Sequence, residues 1–469
     1  MNTALQLDDC FDFSKVELAT KRLTLVNFRN YRYLRLDLNK PFVVLSGENG
    51  SGKTNILEAL SFLSQGRGLR GARLQEIKTF DFLANTLPTP VFINNNGWSV
   101  SAHIQKLDDE FSIGTASETS TKEISYNETK EVDRRIIHIN NKKITSQSEL
   151  GEHIAMIWVT PQMDRLFQGS PQNRRAFLDR IVCSFDTNHS KRLSSFDNLY
   201  RQWLHLLKNG NSNTNWLYSL EEKISEQGIA IAAARKEYIN KLNNFIEQNP
   251  DDIFPSAYLE LDGTIEKMLD EKPAIFVEDF YRESLFNLRK SILFNSEAPS
   301  IIKTDLKAIY LKKNVPANLC STGEQKSLLL SIILAQAKCL INHRGFPPIL
   351  LLDEVGAHID DLKKDALLNK IKNLKTQTWL TTTNMFDFIH IKEYAQFFEI
   401  KDNKVQEILK WKREPKLSFL IKIKFNFQNS IKHRANRFFN INTIINSFIQ
   451  SLTYWHIDIF SIRNYLNSL

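Results

Sequence analysis

Short alternating or fully apolar segments open the chain. Residues 22–26, 33–38 and 42–46 are rich in Leu, Val and Tyr and are separated by Asn30 and by Asn39-Lys40-Pro41, which predicts three strands joined by turns. A helical pattern follows from Lys53 to about Leu63. Between residues 91 and 144 the alternation returns, with Trp98-Val100-Ala102-Ile104, Phe111-Ile113, Ile124-Tyr126 and Ile136-Ile137-Ile139 divided by polar turns, as in an antiparallel sheet. After Pro171 the period changes. Leu217, Leu220, Ile224, Ile231, Tyr238, Leu242 and Phe245 are spaced by three, four or seven, one apolar face of a long helix. The polar run 209–215 separates it from a preceding helix, so an antiparallel helical hairpin is expected. From Ser321 helices and strands alternate: a helix over 324–341, a buried strand at 349–352, a helix from about Leu362 and a strand at 378–382. This order predicts a parallel sheet.

Composition narrows the class. The 469 residues are 42% hydrophobic and 24% charged, the balance of a globular chain long enough for two lobes or one domain with a large insertion. Cys10, Cys183, Cys320 and Cys339 are scattered without metal-ligand spacing, which fits a reducing cytoplasm. The N-terminus carries Asp8, Asp9 and Asp12 rather than a secretory pattern, and no run of 18 uncharged apolar residues exists to span a membrane. The net charge of +8 comes mostly from residues 415–469, which hold seven Lys/Arg and one acid and leave 54 basic and 52 acidic groups elsewhere. A nucleic-acid surface must therefore arise from local clustering. In that tail 31 of 55 residues are Ile, Asn, Phe, Lys or Tyr and none is Gly. Without a period, it is expected to be unstructured.

Three motifs carry chemistry. Gly47-Glu48-Asn49-Gly50-Ser51-Gly52-Lys53-Thr54 fits the phosphate loop GxxxxGK[ST] between a strand and a helix. Its glycines let backbone N–H groups surround phosphate oxygens, Lys53 brings a charge to the β/γ phosphates, and Thr54 offers a hydroxyl to Mg²⁺. Asp353-Glu354 ends the apolar run 349–352. Asp353 is suited to hold Mg²⁺ and Glu354 to act as general base toward the attacking water. Ser321-Thr322-Gly323-Glu324 opens an apolar helix. It is a capping box by pattern, and it also resembles the signature of ATP-binding-cassette ATPases, in which a second subunit offers Ser321 and Gly323 to the γ-phosphate.

These motifs, with Leu23-Thr24-Leu25-Val26-Asn27-Phe28-Arg29-Asn30-Tyr31, Gly66-Arg67-Gly68-Leu69-Arg70, Thr160-Pro161-Gln162-Met163-Asp164, Gly169-Ser170-Pro171, Arg174-Arg175-Ala176-Phe177-Leu178-Asp179 and Asp353-Glu354-Val355-Gly356-Ala357-His358-Ile359-Asp360, resemble the RecF family, bacterial DNA-repair ATPases related to SMC heads. The resemblance spans about residues 21–410. It implies an α/β fold, an ABC-type P-loop ATPase head with a mixed parallel sheet, an antiparallel β subdomain and an inserted helical lobe. The expected division is 21–165 and 301–412 for the head, 166–300 for the lobe and 413–469 for the tail. It implies ATP with Mg²⁺, an ATP-dependent homodimer with slow turnover, and binding to single-stranded, gapped or junction DNA. RecO and RecR are the implied partners in loading RecA, with no membrane involved.

By the same resemblance Gln162 is a Q-loop residue, Asp360 ends a D-loop, and Arg29 touches phosphates or else forms a surface salt bridge. Arg67, Arg70 and Arg73, three apart, face DNA or form a solvated loop. Leu380-Thr381-Thr382-Thr383 offers Thr where cassette transporters place a switch His, and Thr382 is the residue chosen for a γ-phosphate contact. Two other classes compete, a transporter ATPase subunit and an SMC-like chromosome organiser. The first is compact, whereas Lys53 and Ser321 lie 268 residues apart here; the second needs hundreds of heptad residues between the motifs, and these are absent.

Overall fold

The computed structural model describes residues 13–77, 97–125, 128–209, 214–251, 253–289, 300–357 and 359–409. Expectations for residues 1–12, for the alternation before Gly97, for Tyr126, for the turn at 210–213, for His358 and for the tail lie outside them. Two units divide the chain, Met1–Ile408 and Leu409–Leu469, and every strand and helix named below belongs to the first.

Its opening strands are β1 (Leu18–Phe28), β2 (Tyr31–Asp37) and β3 (Phe42–Ser46), followed by α1 (Lys53–Ser61). β1 starts four residues before its apolar pattern does. A bulge at Thr20/Arg22 breaks the alternation there, and Thr20 is buried with its N–H on the Gln377 side chain. The strands β4 (Ser99–Lys106), β5 (Asp109–Ser125), β6 (Glu128–Ile139) and β7 (Lys142–Ile144) complete an antiparallel sheet in the order β2-β1-β4-β5-β6-β7. After α2 (Gln147–His153) comes β8 (Met156–Val159). The chain then continues through α3 (Pro171–Phe185), α4 (His189–Lys208), α5 (Thr214–Gln248), β9 (Ala257–Asp262), α6 (Thr264–Glu271), α7 (Ala274–Leu288), β10 (Asp305–Tyr310) and β11 (Val315–Pro316). It continues through α8 (Thr322–Arg344), β12 (Ile349–Leu352), α9 (Asp361–Asn373), β13 (Thr378–Thr382), β14 (Ala395–Lys401) and β15 (Lys404–Glu407).

The second six-stranded sheet has the order β15-β14-β3-β13-β12-β8 and is parallel except for the edge strand β15. Parallel strands are buried on both faces, which explains the unbroken apolar runs Phe42–Leu45 and Ile349–Leu352. One core joins the two sheets through α1, whose Ile56, Leu57, Ala59 and Leu60 are buried with Leu25, Phe28, Leu45, Trp98 and Trp379. The neighbouring sheet sets the chain from which the phosphate loop emerges.

The helical lobe has its own core, built on Phe196, Trp203, Leu217, Leu220, Ile224, Ile231 and Tyr281. α4 and α5 form the expected hairpin, with Trp203 Nε1 donating to Glu221 at 2.9 Å across it. The apolar face of α5 is as its spacing predicts, except that Ile246 is buried in place of the half-buried Phe245. The small sheet β11-β10-β9 and helices α6 and α7 have weak patterns and pack as satellites of α5.

Buried charge fastens the lobe. Arg235 on α5 is 1% exposed and donates to both oxygens of Asp179, at 2.8 and 2.9 Å, and to the Ile301 carbonyl. Glu266 approaches it at 3.5 Å, and His189 Nε2 lies 3.0 Å from Asp179. Arg174 clasps Asp305 at 2.7 and 2.8 Å, and Arg175 donates to the Thr304 carbonyl. The Arg174-Arg175 pair is thus half-buried and holds α3 to β10, where charge pattern alone suggests a solvated face.

Truncating Arg235 to Ala leaves the half-buried Asp179 and the buried Glu266 without that cation, at a cost of about 3–5 kcal/mol measurable by urea unfolding. Burial would raise the Asp179 carboxyl, but Arg235 and His189 outweigh it and hold it below its ordinary value. The Asp179 contribution is therefore full above the ordinary carboxylate range and is lost as pH falls through its depressed value. The gap between wild type and Arg235→Ala should narrow below about pH 4.

Candidate nucleotide site

The phosphate loop is shaped by close approach. A Cβ on Gly47 would meet the Ile400 carbonyl at 2.4 Å, and one on Gly52, which has φ of 107°, would meet Asn30 Nδ2 at 2.3 Å. The β1–β2 turn braces the loop, with Tyr31 OH donating to the Gly52 carbonyl at 3.2 Å and Asn55 Nδ2 to Asn30 at 2.7 Å. Glu48, Asn49 and Gly50 are exposed, while Ser51 keeps a buried hydroxyl oxygen without a protein partner. Lys53 is buried and folds over the loop, donating to the Gly47 and Glu48 carbonyls at 2.7 and 2.9 Å. Burial lowers its ammonium pKa, and the charges of Glu354 and Asp353 partly offset this.

Beyond the strand ends the second motif meets the first. Thr54 Oγ1 lies 3.0 and 3.1 Å from the two oxygens of Asp353, which is 4% exposed. Thr381 Oγ1 donates to Asp353 Oδ1 at 2.7 Å and accepts the Glu354 N–H at 2.8 Å. Glu354 has φ of 51°, a left-handed conformation that its tethered N–H helps to hold. β8 lies next to β12 in parallel register, Val159 opposite Leu352, so Gln162 sits past the same sheet edge, exposed.

Three expected contacts are placed differently. Thr382 is buried, but its hydroxyl is held in the following turn by Asp387 at 2.8 Å and the Asn384 N–H at 3.1 Å. Successive strand residues face opposite sides, so the hydroxyl that meets the acids belongs to Thr381. Arg29 is committed to the fully buried Glu58 on α1 at 2.7 and 2.9 Å and does not reach toward the loop. Arg70 also pairs with Glu58, at 2.9 Å, and donates to Asn55, whereas the Arg67 and Arg73 guanidinium groups form no ion pair among the described residues, only the Arg73 backbone N–H donating to Glu76 at 3.0 Å. An acid inside the phosphate-loop helix thus demands cations, and two arginines supply them.

Ser321 and Gly323 are exposed at the start of α8. Ser321 Oγ accepts the Glu324 N–H at 3.3 Å, and the Ser321 N–H donates to Glu324 at 2.9 Å, a complete capping box. Lys313 and Ser321 hold the Glu324 carboxyl down to about 2. A Cβ on Gly323 would meet nothing within 4 Å, so this helix end is open. Among the described residues no hydrogen bond joins it to the phosphate loop. Asp360 is exposed and caps α9, accepting the Lys363 N–H at 2.9 Å.

The profile described as "RecF/RecN/SMC N terminal domain" matches residues 19–406. A DNA replication and repair protein RecF from Agrobacterium fabrum is 39% identical over 389 residues, covering 82% of this chain and 97% of that protein. Its counterpart from Rhizobium rhizogenes is 38% identical over 381 residues, 81% and 96% respectively. The chain belongs to the RecF family of DNA replication and repair proteins. The solved structure of "the recombination mediator protein RecF-ATPrS in RecFOR pathway" superposes with a TM-score of 0.69 at 22% identity, over 84% of this chain and 99% of that one. The fold is that of the ABC-type head ATPases, with the helical lobe inserted between β8 and β12. Among the described residues no helix is long and apolar enough to cross a membrane.

In this RecF-family site the residues fit a nucleotide and its magnesium ion. The Ser51 hydroxyl oxygen lacks a partner, two glycines keep the loop free of Cβ atoms, and Thr54 with Asp353 presents hard oxygens at one point. Thr381 and Lys326 escaped sequence reasoning. Lys326 is 5% exposed and joins the first turns of α8 to the Ala357 carbonyl at 2.7 Å and to Asp164 at 3.3 Å, linking the three segments carrying Gly323, Gln162 and Glu354. A run of three threonines at a strand end was the only signal for Thr381; its face depends on register with β12.

Thr381→Val keeps the shape and removes both hydrogen bonds. Steady-state ATPase assays should show kcat lower by roughly 10–100-fold with little change in KM, and Thr381→Ser should restore it.

Proposed function

We propose that this chain is a cytoplasmic ATP-dependent DNA-binding protein of recombinational repair and replication that closes into a dimer on ATP. The observation that carries the reading is the division of the site. Lys53, Thr54, Asp353 and Glu354 are assembled within one chain, while Ser321 and Gly323 sit at an open helix end that makes no hydrogen bond to these four among the described residues. A helix N-terminus with exposed N–H groups suits a γ-phosphate presented by a second copy. Asp360 lies at another exposed helix start and would join the same interface.

The chemistry follows from the side chains. Lys53 exchanges its two carbonyl acceptors for phosphate oxygens. Mg²⁺, held through Thr54 and Asp353, would neutralise charge on the β and γ oxygens. Gln162 would orient the attacking water. The Glu354 carboxylate takes the proton of that water as its oxygen bonds to the γ-phosphorus and the bond to ADP breaks. Turnover is slow because both half-sites must assemble first, and DNA stimulates it by favouring the closed pair.

The expected ligands are single-stranded, gapped or junction DNA, with RecO and RecR as partners in loading RecA. The RecF relatives and the RecFOR structure support this reading, as do Arg67 and Arg73, exposed residues whose guanidinium groups form no ion pair among the described residues. Lys53→Met should abolish the dimer formed with a non-hydrolysable triphosphate, whereas Glu354→Gln should accumulate it with ATP and turn over at least 100-fold more slowly. Gel filtration and ATPase assays with gapped, single-stranded and duplex DNA at fixed salt check both. Normal dimers of Lys53→Met, or unchanged turnover of Glu354→Gln, would refute the assignments.

A further inference from the structure

A cleft of about 760 Å³ opens between the 64–71 loop, β8 with the turn after it, and helices α3 and α4. Its charge is one-sided. Arg67, Arg165, Arg180 and Arg344 line it, and among the described residues none has a carboxylate within ion-pair distance. Its two acids are already engaged, Asp179 by Arg235 and Asp197 by Arg201 at 3.6 Å.

Arg180 is the least compensated. It is half-buried, with its guanidinium 4.8 Å from the Trp158 ring and 5.1 Å from that of Phe177, and it donates to the weak acceptor Met163 Sδ at 3.4 Å. Burial pushes it down to about 9. Arg344 donates one nitrogen to the Gly151 carbonyl, and its Nη2 is buried without a partner. A cation kept out of water in this way has a large free energy to gain from an anion.

The arrangement tells what kind of anion. Arg344 ends α8 at the amino end of β8, where Ile349 pairs with Met156. Arg180 lies over Trp158, inside the strand, and Arg165 lies in the turn past its carboxyl end. The four-residue strand spans about 13 Å, so the three cations form a row rather than a cluster. A single carboxylate would meet one of them. A stacked nucleic-acid strand advances about 3.4 Å along its axis per phosphate, so one strand can present successive phosphates to the row. A duplex, with a major groove alone about 12 Å wide, does not enter.

We propose that this cleft is a binding site for the sugar-phosphate backbone of single-stranded DNA, with Arg165, Arg180 and Arg344 as its phosphate contacts. The proposal rests on the DNA-binding function above and adds the place at which the single strand is held. It also gives DNA a route to the nucleotide, because Gln162 and Arg165 belong to one turn, and that turn is tied through Asp164 to Lys326. A strand drawn against Arg165 shifts the segment that carries Gln162.

The test uses the full chain with a non-hydrolysable triphosphate and Mg²⁺, a labelled 20-mer of oligo-dT, a duplex of equal length and a polyglutamate peptide, each titrated at several salt concentrations. Arg180→Met keeps the apolar stacking, and the exposed Arg165→Gln leaves the fold untouched. Each should weaken oligo-dT binding roughly tenfold and reduce the slope of log K against log salt by about 0.7. Duplex affinity and the dimer should be unchanged. Unchanged slopes in both variants overturn the proposal. So does loss of polyglutamate binding with oligo-dT binding intact, which would make the cleft a site for an acidic peptide. Failure of the wild type to bind any DNA sinks the DNA-binding function itself, a result distinct from wild-type binding that the variants share.

Discussion

The Asp353 carboxylate is the point on which the head converges. It is buried, and hydroxyls from two other elements turn toward it, Thr54 from α1 and Thr381 from β13. Those contacts require β12, β13 and β3 to lie side by side in parallel register, with Leu352 opposite Leu380 and Ser46 opposite Thr382. The parallel register in turn requires helical crossovers and the apolar strands they cover. Remove this meeting point and the phosphate loop, the metal ligands and the catalytic base lose their common reference.

The same tension between burial and charge recurs elsewhere. Glu58 lies fully buried in α1 and draws Arg29 and Arg70 to it, tying the β1–β2 turn and the arginine loop to the phosphate-loop helix. Arg135 acts from the other side. Its guanidinium donates to the Gly66 carbonyl at 2.6 Å, and burial lowers it to about 10. In the lobe, Glu221 gathers Trp203 and Arg289, and Arg235 gathers Asp179 and Glu266. Each buried ion joins elements far apart in sequence. Such pairs add little net stability over an apolar core but penalise any misplacement, which suits a molecule whose two half-sites must align. Arg67, Arg165, Arg180 and Arg344 in the cleft are the exception, since no carboxylate among the described residues neutralises them.

Much of the head is legible in the order of its residues. The phosphate loop, Asp353-Glu354 and the Ser321 capping box are local patterns whose spacing states their geometry, and all three adopt it. The apolar runs that become β3 and β12 are readable because a buried strand needs no partner to reveal itself. The sheet β9-β10-β11 is not, because strands such as Ala257–Asp262 place only alternate residues in contact with α5 and are too short for a clear period. The start of β1 is hidden by its bulge, which breaks the alternation at Thr20/Arg22.

The chain by itself determined the chemistry it can perform, since the order Gly47 to Thr54 and the pair Asp353-Glu354 specify backbone shape and acidity locally. Tertiary structure alone decided which hydroxyl faces the acids, which arginines remain free of a carboxylate and where the cations line up. Thr381 and Thr382 are identical in kind and adjacent in sequence, yet strand pleat and register turn one toward Asp353 and the other toward Asp387. Arg29 and Arg67 are likewise alike on paper. Only the placement of Glu58 commits the first and leaves the second to the cleft. The physical reason is common to both: a side chain's partner is set by what folding brings within about 3 Å of it, and that is a property of the packed whole.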